Sequence, residues 1–220
     1  MNDRTGPRSR RLRLIGIVAI AVAILLSMGR GPTIAQADAP SASLPKATFA
    51  GGCFWCMQYA FDHVPGVVAT TVGYTGGTKN NPTYEEVGSG TTGHSESIEV
   101  TFDPSKTSYR KLLDVFWHNV DPTTHDREFC DVGNEYNAII FFHDADQERE
   151  ARESEAEIEK TKPFKDPIVA QIVPASTFYP AEEYHQKYYL KNPVRYKFYH
   201  YNCGRAQRLR ELWGAASGDE

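Results

Sequence analysis

Apolar and polar residues change rhythm several times between residues 46 and 174, and each change predicts an element. Lys46–Ala50 is a short β-like run. Over Phe54–His63 the apolar residues Phe54, Met57, Phe61 and Val64 recur at helical spacing, and Pro65-Gly66 stops the run. The β-branched segment Val67–Tyr74 reads as a strand closed by Gly76-Gly77. Asn80–Gly93 reads as a polar loop. Ile98, Val100 and Phe102 then alternate with Glu99 and Thr101, the period of a half-buried strand over Ser97–Phe102. Tyr109, Leu112, Leu113 and Phe116 share one face of a helix over Ser108–Asn119. Ala138–Phe142 is a buried strand, Ala145–Lys160 a charged helix with a solvated surface, and Ile168–Val173 a further strand. The polar stretch from Asp121 to Asn137 is longer than a connection needs, and such loops usually carry function. An aromatic-rich loop and short helix follow, ending in a helix around Arg205–Trp213 whose basic residues are expected to face solvent. The order β-α-β-β-α-β, then α-β and a tail, predicts an α+β two-layer sandwich. Its mixed sheet is of the ferredoxin-like (split βαβ) kind, with helices on one face and a long irregular C-terminal tail.

Ahead of this body the pattern differs. Arg8, Arg10, Arg11 and Arg13 precede an apolar run, Leu14–Met28, and Ala35-Gln36-Ala37 supplies small residues for cleavage. That order reads as a secretory signal over residues 1–37, and the apolar run is short for a membrane span. The Ala/Ser/Pro stretch 38–45 is a linker, and 46–220 the folded domain. The mature protein is therefore expected in the periplasm or outside the cell. The alternative is an uncleaved leader that anchors it to the membrane facing away from the cytoplasm. A net charge of −4 over 220 residues argues against general nucleic-acid binding, and a monomer is expected.

The most chemically informative stretch is Ala50-Gly51-Gly52-Cys53-Phe54-Trp55-Cys56. It places Cys53 between a strand and a helix, where the helix N-terminus favours the reactive thiolate. Phe54 and Trp55 put apolar surface beside the sulfur. The spacing of Cys53, Cys56, Cys130 and Cys203 does not suit zinc, since the last two form no second knuckle. Three polar clusters are available to meet Cys53: one around Tyr84, one at His94-Ser95-Glu96, and one from Cys130-Asp131 to Tyr136. Taken singly, each has an ordinary structural explanation.

Together they do not. Gly52-Cys53-Phe54-Trp55, Gly73-Tyr74 with Gly76-Gly77, Asn81-Pro82-Thr83-Tyr84-Glu85-Glu86-Val87, Thr92-Gly93-His94-Ser95-Glu96, Phe116-Trp117 with Asp121-Pro122-Thr123, and Asp131-Val132-Gly133 with Tyr136 resemble peptide methionine sulfoxide reductases of the A type. The resemblance spans the body from about Lys46 to Cys203. It implies reduction of the S epimer of methionine sulfoxide, free or in proteins, without metal or organic cofactor. By that resemblance Cys53 is the nucleophile and Glu96 the acid. Tyr84 and Tyr136 donate to the sulfoxide oxygen, Asp131 holds site and substrate, and Phe54 and Trp55 receive the S-methyl group. Cys203 is the favoured resolving thiol, Cys56 its competitor, and Cys56 or Cys130 a candidate relay. The implied reductant is an external dithiol of the thioredoxin kind. His185 is a candidate supporting residue. One departure stands out: Glu135-Tyr136-Asn137-Ala138 replaces the Gln-Tyr-Arg-Ser common among relatives, adding a carboxylate near Glu96.

Two other readings remain. Cys53-Phe54-Trp55-Cys56 superficially fits a thiol–disulfide oxidoreductase, which would leave Tyr84, Glu96 and Tyr136 unexplained. The cysteines could also staple a non-enzymatic binding domain.

Overall fold

In the computed structural model, residues 43–217 are described; the expected leader and most of the linker lie outside the described residues. The sheet is six-stranded, in the order β7-β6-β1-β3-β2-β8. Its strands are β1 (Lys46–Gly51), β2 (Val67–Thr75), β3 (Ser95–Phe102), β6 (Ala138–Phe142), β7 (Gln171–Pro174) and β8 (Tyr179–Pro180). Pairing is antiparallel except between β6 and β7. Because β1 and β2 both run antiparallel to β3, which lies between them, they are parallel to each other and need a crossover. Helix α1 (Phe54–Asp62) supplies it, and α3 (Tyr109–Trp117) makes the matching crossover from β3 to β6. The inner order β6-β1-β3-β2 is thus the split βαβ arrangement read from the alternation.

The core forms where the helices meet the sheet. Phe49 of β1 stacks on Phe61 of α1 at 5.1 Å and on Phe116 of α3 at 5.4 Å. Ile98, Val100, Leu112, Leu113 and Trp117 close around them, all buried. Each such side chain contributes about 1.5–3 kcal/mol through removal from water. Ser108 begins α3 by accepting the N–H of Lys111 at 3.2 Å. Helix α4 (Ala145–Thr161) packs beside α3, and Trp117 donates across to Ser154 at 3.0 Å. Among the described residues no helix is long and apolar enough to cross a membrane.

Several segments hold more structure than the polarity pattern implies. The expected loop Asn80–Gly93 contains a short helix, α2 (Tyr84–Gly88), opened by a capping box in which Thr83 and Glu86 satisfy each other's backbone. The long 121–137 loop contains a two-stranded ribbon, β4 (Arg127–Glu128) with β5 (Asp131–Val132), and a 3-10 turn at Asn134–Tyr136. The tail carries α5 (Tyr188–Lys191), the ten-residue α6 (Pro193–Asn202) and α7 (Arg205–Trp213). Arg205, expected in solvent, is only 3% exposed. Its guanidinium donates to the Asn119 carbonyl and to Met57 Sδ, lies over the Phe129 ring, and faces the buried Glu128 carboxylate. These contacts replace the water a surface arginine would have, and the Arg205 charge opposes, without cancelling, the rise that burial imposes on the Glu128 pKa.

Candidate active site

Strand register decides which loops meet. Phe49 pairs with Ile98, so two residues further on Glu96 comes level with Gly51. Gly51 also pairs with Ala138, the first residue of β6. The end of β1 carrying Cys53, the start of β3 carrying Glu96, and the segment carrying Asp131 and Tyr136 therefore converge at one edge. The turn that delivers Cys53 needs a glycine. Gly52 has φ of +72°, and a Cβ there would lie 2.5 Å from the Cβ of Glu128. Cys53 is the N-cap of α1, its carbonyl accepting the N–H groups of Cys56 at 3.1 Å and Met57 at 3.3 Å.

The thiol lies in a cleft of about 50 Å³ lined by Cys53, Phe54, Trp55, Tyr84, Glu96, Asp131, Tyr136 and Tyr199. All the substrate-binding residues expected from the sequence are here. A larger groove of about 630 Å³ between α3, α4 and α7 contains none of them. Glu96, 3% exposed, accepts the Phe54 N–H at 3.0 Å through Oε2. Burial, then the neighbouring Cys53, raises its pKa well above the ordinary carboxyl range, with Asp131 and Glu135 adding to the effect and the Phe54 N–H opposing it. Burial likewise raises the pKa of the Tyr84 and Tyr136 phenols, and any ionisation of the neighbouring Glu96 carboxyl would raise them further.

The expectation of an easily ionised Cys53 is corrected. Burial pushes its thiol up, and the Cys56 side chain and the Asp131 charge push the same way, while a hydrogen bond from Tyr199 opposes them. Desolvation of Cys53, a residue only 6% exposed, outweighs what one helix terminus supplies. Both Cys53 and Glu96 are shifted toward their protonated forms, chiefly by burial, and Cys53 adds to the shift of Glu96.

The cysteines divide into two pairs. Cys203 is bonded to Cys130, with sulfurs 2.08 Å apart, and not to Cys53. Cys53 and Cys56 are buried thiols outside that bond. The disulfide nevertheless touches the cleft. Asp131 Oδ1 lies 3.7 Å from Cys130 Sγ, and Oδ2 lies 3.9 Å from Cys203 Sγ. The same Oδ2 accepts the Tyr199 hydroxyl, which is itself 3.9 Å from Cys203 Sγ.

The tail completes the walls. Its strand β8 pairs with β2, Tyr74 opposite Tyr179, and so carries residues 181–189 over α1. Glu182 accepts the Tyr74 hydroxyl at 2.8 Å and the Tyr84 N–H at 3.0 Å, holding that phenol at the cleft. His185 is buried beside Phe54 and Tyr84. Its Nδ1 accepts Trp55 Nε1–H at 3.1 Å, and burial lowers its pKa, so the ring is neutral with its proton on Nε2. Tyr188 stacks on the Trp55 indole at 3.8 Å. Tyr199, Tyr188 and Glu182 were not singled out by sequence reasoning. Their only signal was the density of aromatic and acidic residues in the tail, which marks no particular one.

With the geometry in hand, comparison with known proteins is specific. A model of the family described as peptide methionine sulfoxide reductase matches residues 45–217. The peptide methionine sulfoxide reductase MsrA of Listeria innocua is 49% identical over 171 residues, which make up 78% of this chain and 97% of that protein. The protein of the same name from Bacillus subtilis is 50% identical over 169 residues, 77% of this chain and 96% of its own length. Among solved structures, methionine sulfoxide reductase A of Corynebacterium diphtheriae superposes with a TM-score of 0.63 at 31% identity, covering 70% of this chain and 78% of that one. Mxr1 of Saccharomyces cerevisiae in reduced form gives 0.65 at 30% identity, covering 70% and 88%.

Proposed function

The chain belongs to the peptide methionine sulfoxide reductase family, and on that premise we propose how the cleft divides the work of reducing methionine sulfoxide to methionine. Phe54 and Trp55 receive the S-methyl group. Tyr84, Tyr136 and protonated Glu96 face the oxygen. An apolar wall for methyl opposite a donor set for oxygen selects one hand at sulfur, the S epimer. Cys53 Sγ bonds to the sulfoxide sulfur as Glu96 gives its proton to the oxygen, and the thiol proton passes to the Glu96 carboxylate so formed. The S–O bond of the substrate then breaks as its hydroxyl passes to Cys53 Sγ and the bond between the two sulfurs opens, leaving Cys53 sulfenic acid and methionine; the substrate sulfur gains two electrons and Cys53 loses two. The observation that carries this reading is the grouping of one thiol, one protonated carboxyl and two phenols in a single small cleft.

Cys203 then closes on Cys53, releasing water. Cys130 takes over the bond to Cys203 and frees Cys53 as a thiol, which yields the pairing found here, with Cys130 at the surface. Cys56, buried against Cys53, offers a shorter route to the first disulfide. An external thioredoxin-like dithiol returns the enzyme to its reduced state. The leader read in residues 1–37 adds export to this proposal, with oxidised proteins beyond the cytoplasm as the substrates repaired. The direct test offers each epimer of a methyl sulfoxide to the reduced protein with excess dithiol. Loss of the S epimer alone is expected; consumption of neither, or of both at equal rates, refutes it. A thiol–disulfide oxidoreductase would instead reduce insulin disulfides and leave the sulfoxide untouched.

A further inference from the structure

Asp131 occupies an unusual place between two chemistries. It lines the cleft with Cys53, and its carboxylate also lies against both sulfurs of the tail disulfide. The backbone N–H of Cys130 donates to Cys203 Sγ at 3.2 Å, so a negative charge on Cys203 is met by a dipole already in place. Cys130 is exposed while Cys203 is partly covered. A thiolate from outside therefore reaches Cys130 first.

We propose that Asp131 is the proton carrier of the sulfur-exchange steps, and that the external reductant attacks Cys130 so that Cys203 is the sulfur that leaves. This rests on the thiol cycle described above. When the cycle forms a bond, the Cys203 thiol gives its proton to Asp131 and its sulfur attacks Cys53. The S–O bond of the sulfenic acid breaks, and the oxygen leaves with that proton as water. When the Cys130–Cys203 bond is reduced, one thiolate of an external dithiol bonds to Cys130 Sγ and the S–S bond breaks. Cys203 departs as thiolate and takes a proton from Asp131. The second thiol of the reductant then displaces Cys130, its proton passing to the departing Cys130 sulfur, and the dithiol leaves oxidised by two electrons.

The surroundings suit a carboxyl that changes hands with a proton. Tyr199 from α6 donates to it, and Arg205 from α7 favours its charge. Cys53 and Glu96 face it across the cleft, Tyr84 and Tyr136 along the rim, and Glu128 from β4. Burial holds its pKa above the ordinary range, nearer that of the thiols it serves.

Reduction of the tail disulfide by dithiothreitol tests this with no sulfoxide present, so its outcome is separate from that of the reductase reading. Rates are divided by the thiolate concentration at each pH. In the wild-type protein the normalised rate is expected to rise as pH falls and Asp131 becomes protonated. Asp131→Asn is expected to give a flat profile with reduction slowed by about 10²-fold in acid, the low end for general acid help, and Asp131→Glu to restore the rise. A flat wild-type profile overturns the proposal whether or not the variants fold, as does an unchanged rise in Asp131→Asn. A monothiol trapped on the protein and mapped by peptide mass spectrometry is expected on Cys130; an adduct on Cys203 refutes the direction of attack. In single turnover with sulfoxide, Asp131→Asn is further expected to accumulate Cys53 sulfenic acid. Sulfenic acid that decays at the wild-type rate would confine Asp131 to holding substrate.

Discussion

Replacing Glu96 with glutamine separates what the buried acid does for the reaction from what it costs the fold. The amide keeps the acceptor for the Phe54 N–H, which Oε2 now receives at 3.0 Å, and keeps an N–H to donate toward the oxygen. It loses only the transferable proton. That loss is expected to slow methionine formation by about 10²–10⁴-fold, or roughly 2.7–5.4 kcal/mol of barrier. Stability should move the other way. Burial and Cys53 hold the folded-state pKa of Glu96 above its unfolded value. Its contribution to stability is therefore fully present below the unfolded pKa of about 4.3 and is lost as pH rises toward the folded pKa. At neutral pH the wild-type fold bears that penalty and the glutamine variant does not. Each pKa unit of elevation is worth about 1.4 kcal/mol, and each kcal/mol about 2–4 °C in Tm for a domain of this size. Two assays suffice: single-turnover methionine formation by reduced enzyme across pH, and thermal melts at neutral and acid pH. The wild-type rate should fall as pH rises through the Glu96 pKa, and the variant should lack that limb. A variant that keeps the wild-type rate, or a gain in Tm that persists undiminished in acid, would sink the assignment.

Three further outcomes follow from the same geometry. Tyr136→Phe and Tyr84→Phe each remove one proposed donor to the oxygen and should each lower kcat by up to about 10²–10³-fold, with the double variant worse, because losing one such donor from a preorganised site costs on this scale; wild-type rates in all three would exclude the phenols. Gly52→Ala forces a side chain into left-handed backbone against Glu128 and should lower stability by at least about 1–2 kcal/mol, read by urea unfolding, and activity with it. The Cys130–Cys203 bond links residues 73 apart, for which chain entropy alone allows a stabilisation of about 4 kcal/mol. Reduction or Cys130→Ala should therefore lower Tm by several degrees, and an unchanged melt would mean that the reduced tail is held by its other contacts.

Much of the fold was legible because its causes are local. Alternation at Ile98, Val100 and Phe102, helical spacing at Leu112, Leu113 and Phe116, and turns at Pro65-Gly66 and Gly76-Gly77 dictate elements through the burial of one face. The capping box at Thr83 and Glu86 was present in the letters as well, but it opens a helix of only five residues with one buried side chain, too short to leave a period. The tail escaped for another reason. Helix α6 buries only Tyr196 and is held by aromatic contacts to α1 and α5, so no apolar stripe announces it.

The sequence by itself determined which side chains are available to the cleft: a thiol after paired glycines, the acid and phenols of three polar clusters, and the apolar pair beside the sulfur. The type of a side chain sets which bonds it can make. Only the tertiary structure decided the burial of Cys53 that raises its pKa, the burial of Arg205, the partner of Cys203 and the place of Asp131 between cleft and disulfide. Those depend on distance and on the exclusion of water, which arise when strands far apart in the chain come into register.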